Sequence, residues 1–81
     1  MVHVHLSTAL QLLTGGVSEA HVEAKTVSEL ILVLDSIYPG VAEQLASGVA
    51  VAINGDIYAD AIYRSIPEGA EVHFVAAPSG G

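Results

Sequence analysis

One amphipathic helix pattern limits what this chain can fold into. The pattern begins at Thr26, which with Glu29 has the spacing of a capping box, each side chain satisfying an otherwise unpaired backbone amide. It stops before Pro39, because proline disfavours helical geometry at the residue preceding it. Its apolar stripe comprises Val27, Leu30, Ile31, Leu34 and Ile37 or Tyr38. A single helix of this kind covers one face of a sheet, so the rest of the chain must supply that sheet.

Short segments with period-two alternation flank the helix and predict the strands. They lie at residues 2–6, 17–24, 49–53, 57–59 and 71–76. Asn54-Gly55 predicts a tight turn between two of them, and residues 66–69 predict another. Residues 7–14 fit either a loop or a short helical turn, and residues 40–46 fit one more helical turn. The predicted core adds to the helix stripe Val2, Val4, Leu6, Val22, Val51, Ile53, Val72 and Phe74. The fold class is therefore α+β, with a mixed four- to five-stranded sheet packed on one main helix.

The composition excludes several classes of function. Nine acidic residues stand against two basic ones, a formal charge of −7, which argues against nucleic acid and against anionic membrane surfaces. The chain contains no cysteine, which excludes disulfides, thiolate zinc sites and a cysteine nucleophile. Its 81 residues contain no run of about 20 apolar residues and no signal-peptide pattern. We expect a soluble, cytoplasmic protein of one domain at residues 1–76.

The C-terminus carries the most informative functional signal. After Phe74 the apolar alternation stops, and residues 77–81 predict a flexible tail that, fully extended, spans about 17 Å. Gly80 and Gly81 lack side chains, so the narrow channel of another protein can admit them. Such a tail presents its terminal carboxylate to a distant active site. The alternative is a frayed terminus without a function.

Several segments together resemble the ubiquitin-like β-grasp sulfur carriers. The stretch from Asn54-Gly55 through residues 67–72 to Gly80-Gly81 looks like the ThiS-like and MoaD-like carriers. Residues 6–16 and 34–41 look most like the cysteine-synthesis carriers and the molybdopterin synthase small subunit. The run at residues 76–79 departs from the molybdopterin subunit, which usually has a proline pair and a larger residue there. The resemblance covers nearly the whole chain and implies a β-grasp sheet whose first and last strands are parallel at its centre.

The resemblance also implies a mechanism in which the chain is a substrate and not an enzyme. An E1-like adenylating enzyme would use ATP to activate the Gly81 carboxylate, and a sulfur donor would convert it to a thiocarboxylate. The acceptor enzyme of a biosynthetic pathway would then receive the sulfur, and the carrier itself would hold no permanent cofactor. On this view Gly80 and Gly81 form the reactive end. We assign partner binding to Phe74, Val75, Pro78 and Ser79.

The four histidines form a second candidate site. If Val2, Val4 and Leu6 point inward, strand alternation turns the imidazoles outward, onto one face with Glu19 and Glu23. The histidines are His3, His5, His21 and His73. One interpretation is a Zn²⁺ or Ni²⁺ site, because neutral imidazole is a common ligand. The other is a solvated face or a docking surface, and the sequence alone assigns no metal.

Three functions fit these features. The first is a sulfur carrier activated at Gly81. The second is a ubiquitin-like protein modifier that uses the same adenylate to form an isopeptide bond. The third is a β-grasp binding module with an inert tail, in which removal of Gly80-Gly81 would leave activity unchanged.

Overall fold

The computed structural model describes residues 1–45, 50–59 and 61–75, the last residue by its backbone. This part of the chain forms five strands and three helices. In order they are β1 (Val2–His5), α1 (Thr8–Gln11), β2 (Glu19–Val22), α2 (Val27–Ile37), α3 (Val41–Gln44), β3 (Ala50–Ile53), β4 (Asp56–Ala59) and β5 (Glu71–Val75). None of the helices in these ranges combines the length and apolar character needed to cross a membrane.

The strands form one mixed sheet in the order β2-β1-β5-β3-β4. The first and last strands, β1 and β5, are parallel neighbours at its centre, with Val4 opposite Val72 and His5 opposite His73. The remaining pairs, β1–β2, β3–β5 and β3–β4, are antiparallel. This arrangement confirms the predicted ubiquitin-like β-grasp fold.

Helix α2 begins as the sequence predicts, with one difference in its cap. The Thr26 hydroxyl accepts a hydrogen bond from the Glu29 amide at 3.1 Å. The Glu29 carboxylate, however, accepts from the amide of Lys25 at 3.0 Å and not from that of Thr26. It therefore reaches one residue further back than a standard capping box and ties the end of the preceding segment to the helix.

The end of α2 is joined to α3 by a single carboxylate. Helix α2 ends at Ile37, before Pro39, and Gly40 takes a φ of +106° that favours glycine. One Asp35 oxygen accepts hydrogen bonds from the amides of Gly40 and Ala42, each at 3.1 Å. The predicted extra helical turn is therefore confirmed, and Asp35 fixes its start.

The Asn54-Gly55 turn confirms the predicted hairpin and also anchors it to the central strand. Asn54 and Gly55 have φ values of +50° and +91°, the left-handed pair that a tight two-residue hairpin requires. The Asn54 side-chain oxygen accepts from the Glu71 amide at 3.0 Å, and the Asn54 amide donates to the Glu71 carbonyl at 2.9 Å. The turn thus fixes the start of β5.

The core lies between the sheet and α2, and every strand residue predicted to belong to it is buried. At the end of the helix stripe Tyr38 packs against the core, whereas Ile37 is 51% exposed. Loops and the short α1 add core residues that alternation did not indicate. These are Leu10, Ala61, Ile66 and Ala70. Residues 7–14 resolve into α1, capped by Ser7, followed by a turn.

Candidate functional site

Strand β5 leads into the C-terminal segment, and its position is fixed on both sides. It pairs with β1 and with β3, so it cannot shift without breaking two ladders. Phe74 is 5% exposed and belongs to the core, which corrects its assignment to partner binding: on alternation it shares the inner face with Val72. Of the other residues assigned to the reactive end or to partners, Pro78, Ser79, Gly80 and Gly81 lie outside the described residues, as does the side chain of Val75.

The four histidines share the sheet face that is opposite α2, as alternation predicts. His3 and His21 face each other across β1 and β2, and their rings stack with centroids 4.3 Å apart. His5 and His73 face each other across β1 and β5, and their rings stack 4.0 Å apart, nearly parallel at 4°. The His3 and His5 centroids are 4.4 Å apart, which links the two pairs into one continuous imidazole row.

Two glutamates, Glu19 and Glu71, border this row, and the sequence predicted only Glu19 at this position. His3 Nε2 lies 2.5 Å from a Glu19 oxygen, and this hydrogen bond lowers the pKa of the Glu19 carboxyl. Glu71 lies 3.3 Å from His5 Nε2. Glu23, expected beside the histidines, instead pairs at 3.1 Å with the amino group of Met1. The sequence could have indicated Glu71, because its spacing of two residues from His73 places both side chains on one face of β5.

His5 is one of the two inner residues of the row and has an unusual environment. Its Nε2 atom is shielded from solvent and has no hydrogen-bond partner among the described residues, although Glu71 is close. A shielded polar atom without a partner loses its hydration with nothing in exchange. His5 also belongs to both groups of side chains whose ligand atoms lie within 4.8 Å of one another, His3–His5–Glu19 and His5–Glu71–His73. Either group has the nitrogen and oxygen donors that bind Zn²⁺.

Three of the solved structures that match the chain share its fold. A chain of the BexX/CysO complex from Amycolatopsis orientalis superposes with a TM-score of 0.84 at 22% identity, with all of both chains covered. CysO from Mycobacterium tuberculosis gives 0.83 at 23% identity, covering 95% of this chain and 99% of that one. Small archaeal modifier protein 1 from Methanosarcina acetivorans gives 0.73 at 20% identity, covering 99% and 95%.

Sequence comparison identifies the family. No curated protein sequence matches the chain significantly. The model of the ThiS family, in contrast, matches residues 4–81, nearly the whole chain and its final glycine. Because this match covers both the β-grasp domain and the C-terminal Gly-Gly, the chain belongs to the ThiS family.

Proposed function

We propose that this chain is a sulfur carrier that works through the carboxylate of Gly81. The observation that carries the proposal is the ThiS family match, which extends through Gly80-Gly81. The fold supports it, because β5, the strand that precedes the C-terminal segment, is held between β1 and β3. The absence of cysteine from the chain also fits, since a carrier of this kind needs no side-chain thiol.

The proposed chemistry has two steps, both on the terminal carboxyl group. An E1-like partner transfers AMP from ATP to the Gly81 carboxylate and releases pyrophosphate, which turns a poor electrophile into an acyl adenylate. Hydrosulfide, or a donor at the same oxidation level, then attacks the carbonyl carbon, expels AMP and gives the thiocarboxylate and one proton. The sulfur becomes a nucleophile that an acceptor enzyme uses, and hydrolysis of the acyl product restores the carboxylate.

The partners follow from this chemistry. They are an ATP-dependent adenylating enzyme, a sulfide-level donor and an acceptor enzyme of a biosynthetic pathway, all of which we place in the cytoplasm with the ATP they require. Among carrier pathways, the run at residues 76–79, which departs from the molybdopterin subunit, and the CysO-like fold favour cysteine synthesis over molybdopterin synthesis. The likeness to a modifier protein supports a second candidate, attachment of Gly81 to lysines of other proteins.

The test is reconstitution followed by intact-mass measurement. The purified chain is incubated with an adenylating enzyme encoded beside its gene, ATP and sulfide, and we expect a product in which one oxygen is replaced by one sulfur. A chain lacking Gly81 and a reaction without ATP serve as controls and should stay unchanged. Gly-Gly remnants on cellular lysines, found without any thiocarboxylate, would favour the modifier. Full activity of a chain lacking Gly80-Gly81 in the cell would refute both and favour a binding module.

A further inference from the structure

We propose that the sheet face opposite α2 binds one divalent transition-metal ion of the Zn²⁺ class through His5, His73 and Glu71. The first argument is the state of His5. Its Nε2 atom is shielded and lacks a hydrogen-bond partner among the described residues, and an oxygen of Glu71 lies 3.3 Å away. A metal ion supplies what this atom lacks, because a neutral imidazole nitrogen donates its lone pair to the ion.

The second argument is geometric. The ligand atoms of His5, Glu71 and His73 lie within 4.8 Å of one another. Around a tetrahedral Zn²⁺ with bonds of about 2.0–2.1 Å, ligand atoms are about 3.4 Å apart, so closing the site requires side-chain rotations that turn the stacked His5 and His73 rings out of parallel. The three ligands come from two paired strands, with His5 opposite His73 in the register of β1 and β5. The backbone that carries them is therefore already in place before an ion binds.

Two groups of candidate ligands share His5, and the contacts of Glu19 favour the group with Glu71 and His73. In the alternative group, the Glu19 carboxylate is already hydrogen-bonded to His3 at 2.5 Å, and an ion would have to break that contact. Among the described residues, neither the Glu71 carboxylate nor the His73 imidazole is held by a hydrogen bond to another side chain, although Glu71 Oε1 lies 3.3 Å from His5 Nε2. The Glu71 backbone is also fixed at both its amide and its carbonyl by Asn54, which limits where its carboxylate can go.

Charge favours a cation at this place. The chain has a formal charge of −7, and Glu19 and Glu71 border the imidazole row on either side. Two imidazoles and one carboxylate are the mixture of nitrogen and oxygen ligands that suits Zn²⁺ and related ions. Three protein ligands leave one tetrahedral position, which water or a donor from a partner protein fills.

Calorimetric titration of the untagged full chain with Zn²⁺ tests the proposal, and Co²⁺ absorption spectra report the coordination geometry. We expect one ion per chain. His5→Gln, His73→Gln and Glu71→Gln should each weaken Zn²⁺ binding at least about tenfold. His3→Gln and His21→Gln are the matched controls and should change it by less than about threefold; His3→Gln also removes any chelation by the amino terminus with His3.

The outcomes separate the proposal from its alternatives. Circular dichroism should show that all five variants fold, because the five side chains lie on an open face and His5, one of the least exposed, retains 27% exposure. Equal Zn²⁺ affinity in the original chain and in His5→Gln would refute the site. A loss in His3→Gln and Glu19→Gln with Glu71→Gln unaffected would refute this ligand set. None of these results depends on sulfur transfer, so failure of the metal site would leave the proposed carrier function untouched.

Discussion

Replacement of Phe74 by alanine distinguishes a core residue from a partner-binding one. Phe74 is 5% exposed, lies on the central strand β5 and packs in the same cluster as Val51 and Val72. Removal of a buried phenylalanine ring costs about 3–5 kcal/mol, as lost burial and as the cavity left behind. A chain of 81 residues has a total stability of about 4–12 kcal/mol. We therefore expect Phe74→Ala to lose between about a quarter and all of that stability at 25 °C.

A milder change keeps the measurement within range. Phe74→Leu should cost about 1–2 kcal/mol, since most of the apolar volume remains. At about 4–8 °C per kcal/mol for a domain of this size, its Tm should fall by about 4–16 °C. Urea unfolding followed by far-ultraviolet circular dichroism gives the free energy of unfolding for each variant.

The matched control is an aromatic residue on the surface. Tyr63 is 87% exposed, so Tyr63→Ala should change the free energy of unfolding by less than about 0.5 kcal/mol. If Phe74→Ala unfolded at the urea midpoint of the original chain and yet failed to be adenylated, Phe74 would act at the partner interface. The packing argument would then be wrong.

Three further predictions concern the cap, the Glu19 carboxyl and the metal site. Thr26→Ala removes the hydroxyl that accepts from the Glu29 amide and should cost about 1 kcal/mol in urea unfolding, whereas Ser28→Ala should not destabilise. The pKa of Glu19 lies below its ordinary value, chiefly because of the hydrogen bond to His3; carbon-13 NMR titration should show it rise toward that value in His3→Gln. Because folding lowers this pKa, the contact stabilises the fold at pH values above the ordinary carboxyl range, and that stabilisation is lost as the pH falls through the folded pKa. An ordinary pKa for Glu19 in the original chain would contradict this prediction. Zn²⁺ at 100 times its Kd should raise the free energy of unfolding by about 2.7 kcal/mol in the original chain and by much less in His5→Gln, and an equal rise in both would speak against His5 as a ligand.

Alternation and helical spacing were enough to predict the strands, the main helix and the two faces of the sheet, because each depends only on which face a side chain takes. They placed Val4, Val51 and Val72 in the core and all four histidines on the opposite face, as observed. They did not find Leu10 or Ile66, whose burial depends on how the short α1 and the segment before β5 pack against the core. Periodicity carries no information about such long-range packing.

The same limit explains which parts of the histidine site were missed. The sequence put Glu23 beside the imidazoles because it shares the parity of Glu19, but an amino group outside the strand attracts its carboxylate. Glu71 has the same parity as His73, yet its proximity to His5 requires the parallel pairing of β1 with β5. Which strands become neighbours is a property of topology, so the family resemblance and not the alternation contained that information.

The two proposals share strand β5 but place different demands on it. A carrier that reacts only at its terminal carboxylate needs no catalytic side chain on the globular domain, so its chemistry does not require Glu71 or His73. An ion held by His5, His73 and Glu71 would join β1 to β5 across the central parallel pair. Because that pair is the only parallel ladder among the five described strands, and parallel pairing is slightly less stable per residue than antiparallel pairing, an ion placed there would reinforce the weaker type of pairing. The metal would therefore stabilise the strand that precedes the reactive end without entering the sulfur chemistry, and Zn²⁺ should raise the Tm of a chain lacking Gly80-Gly81 as much as that of the full chain.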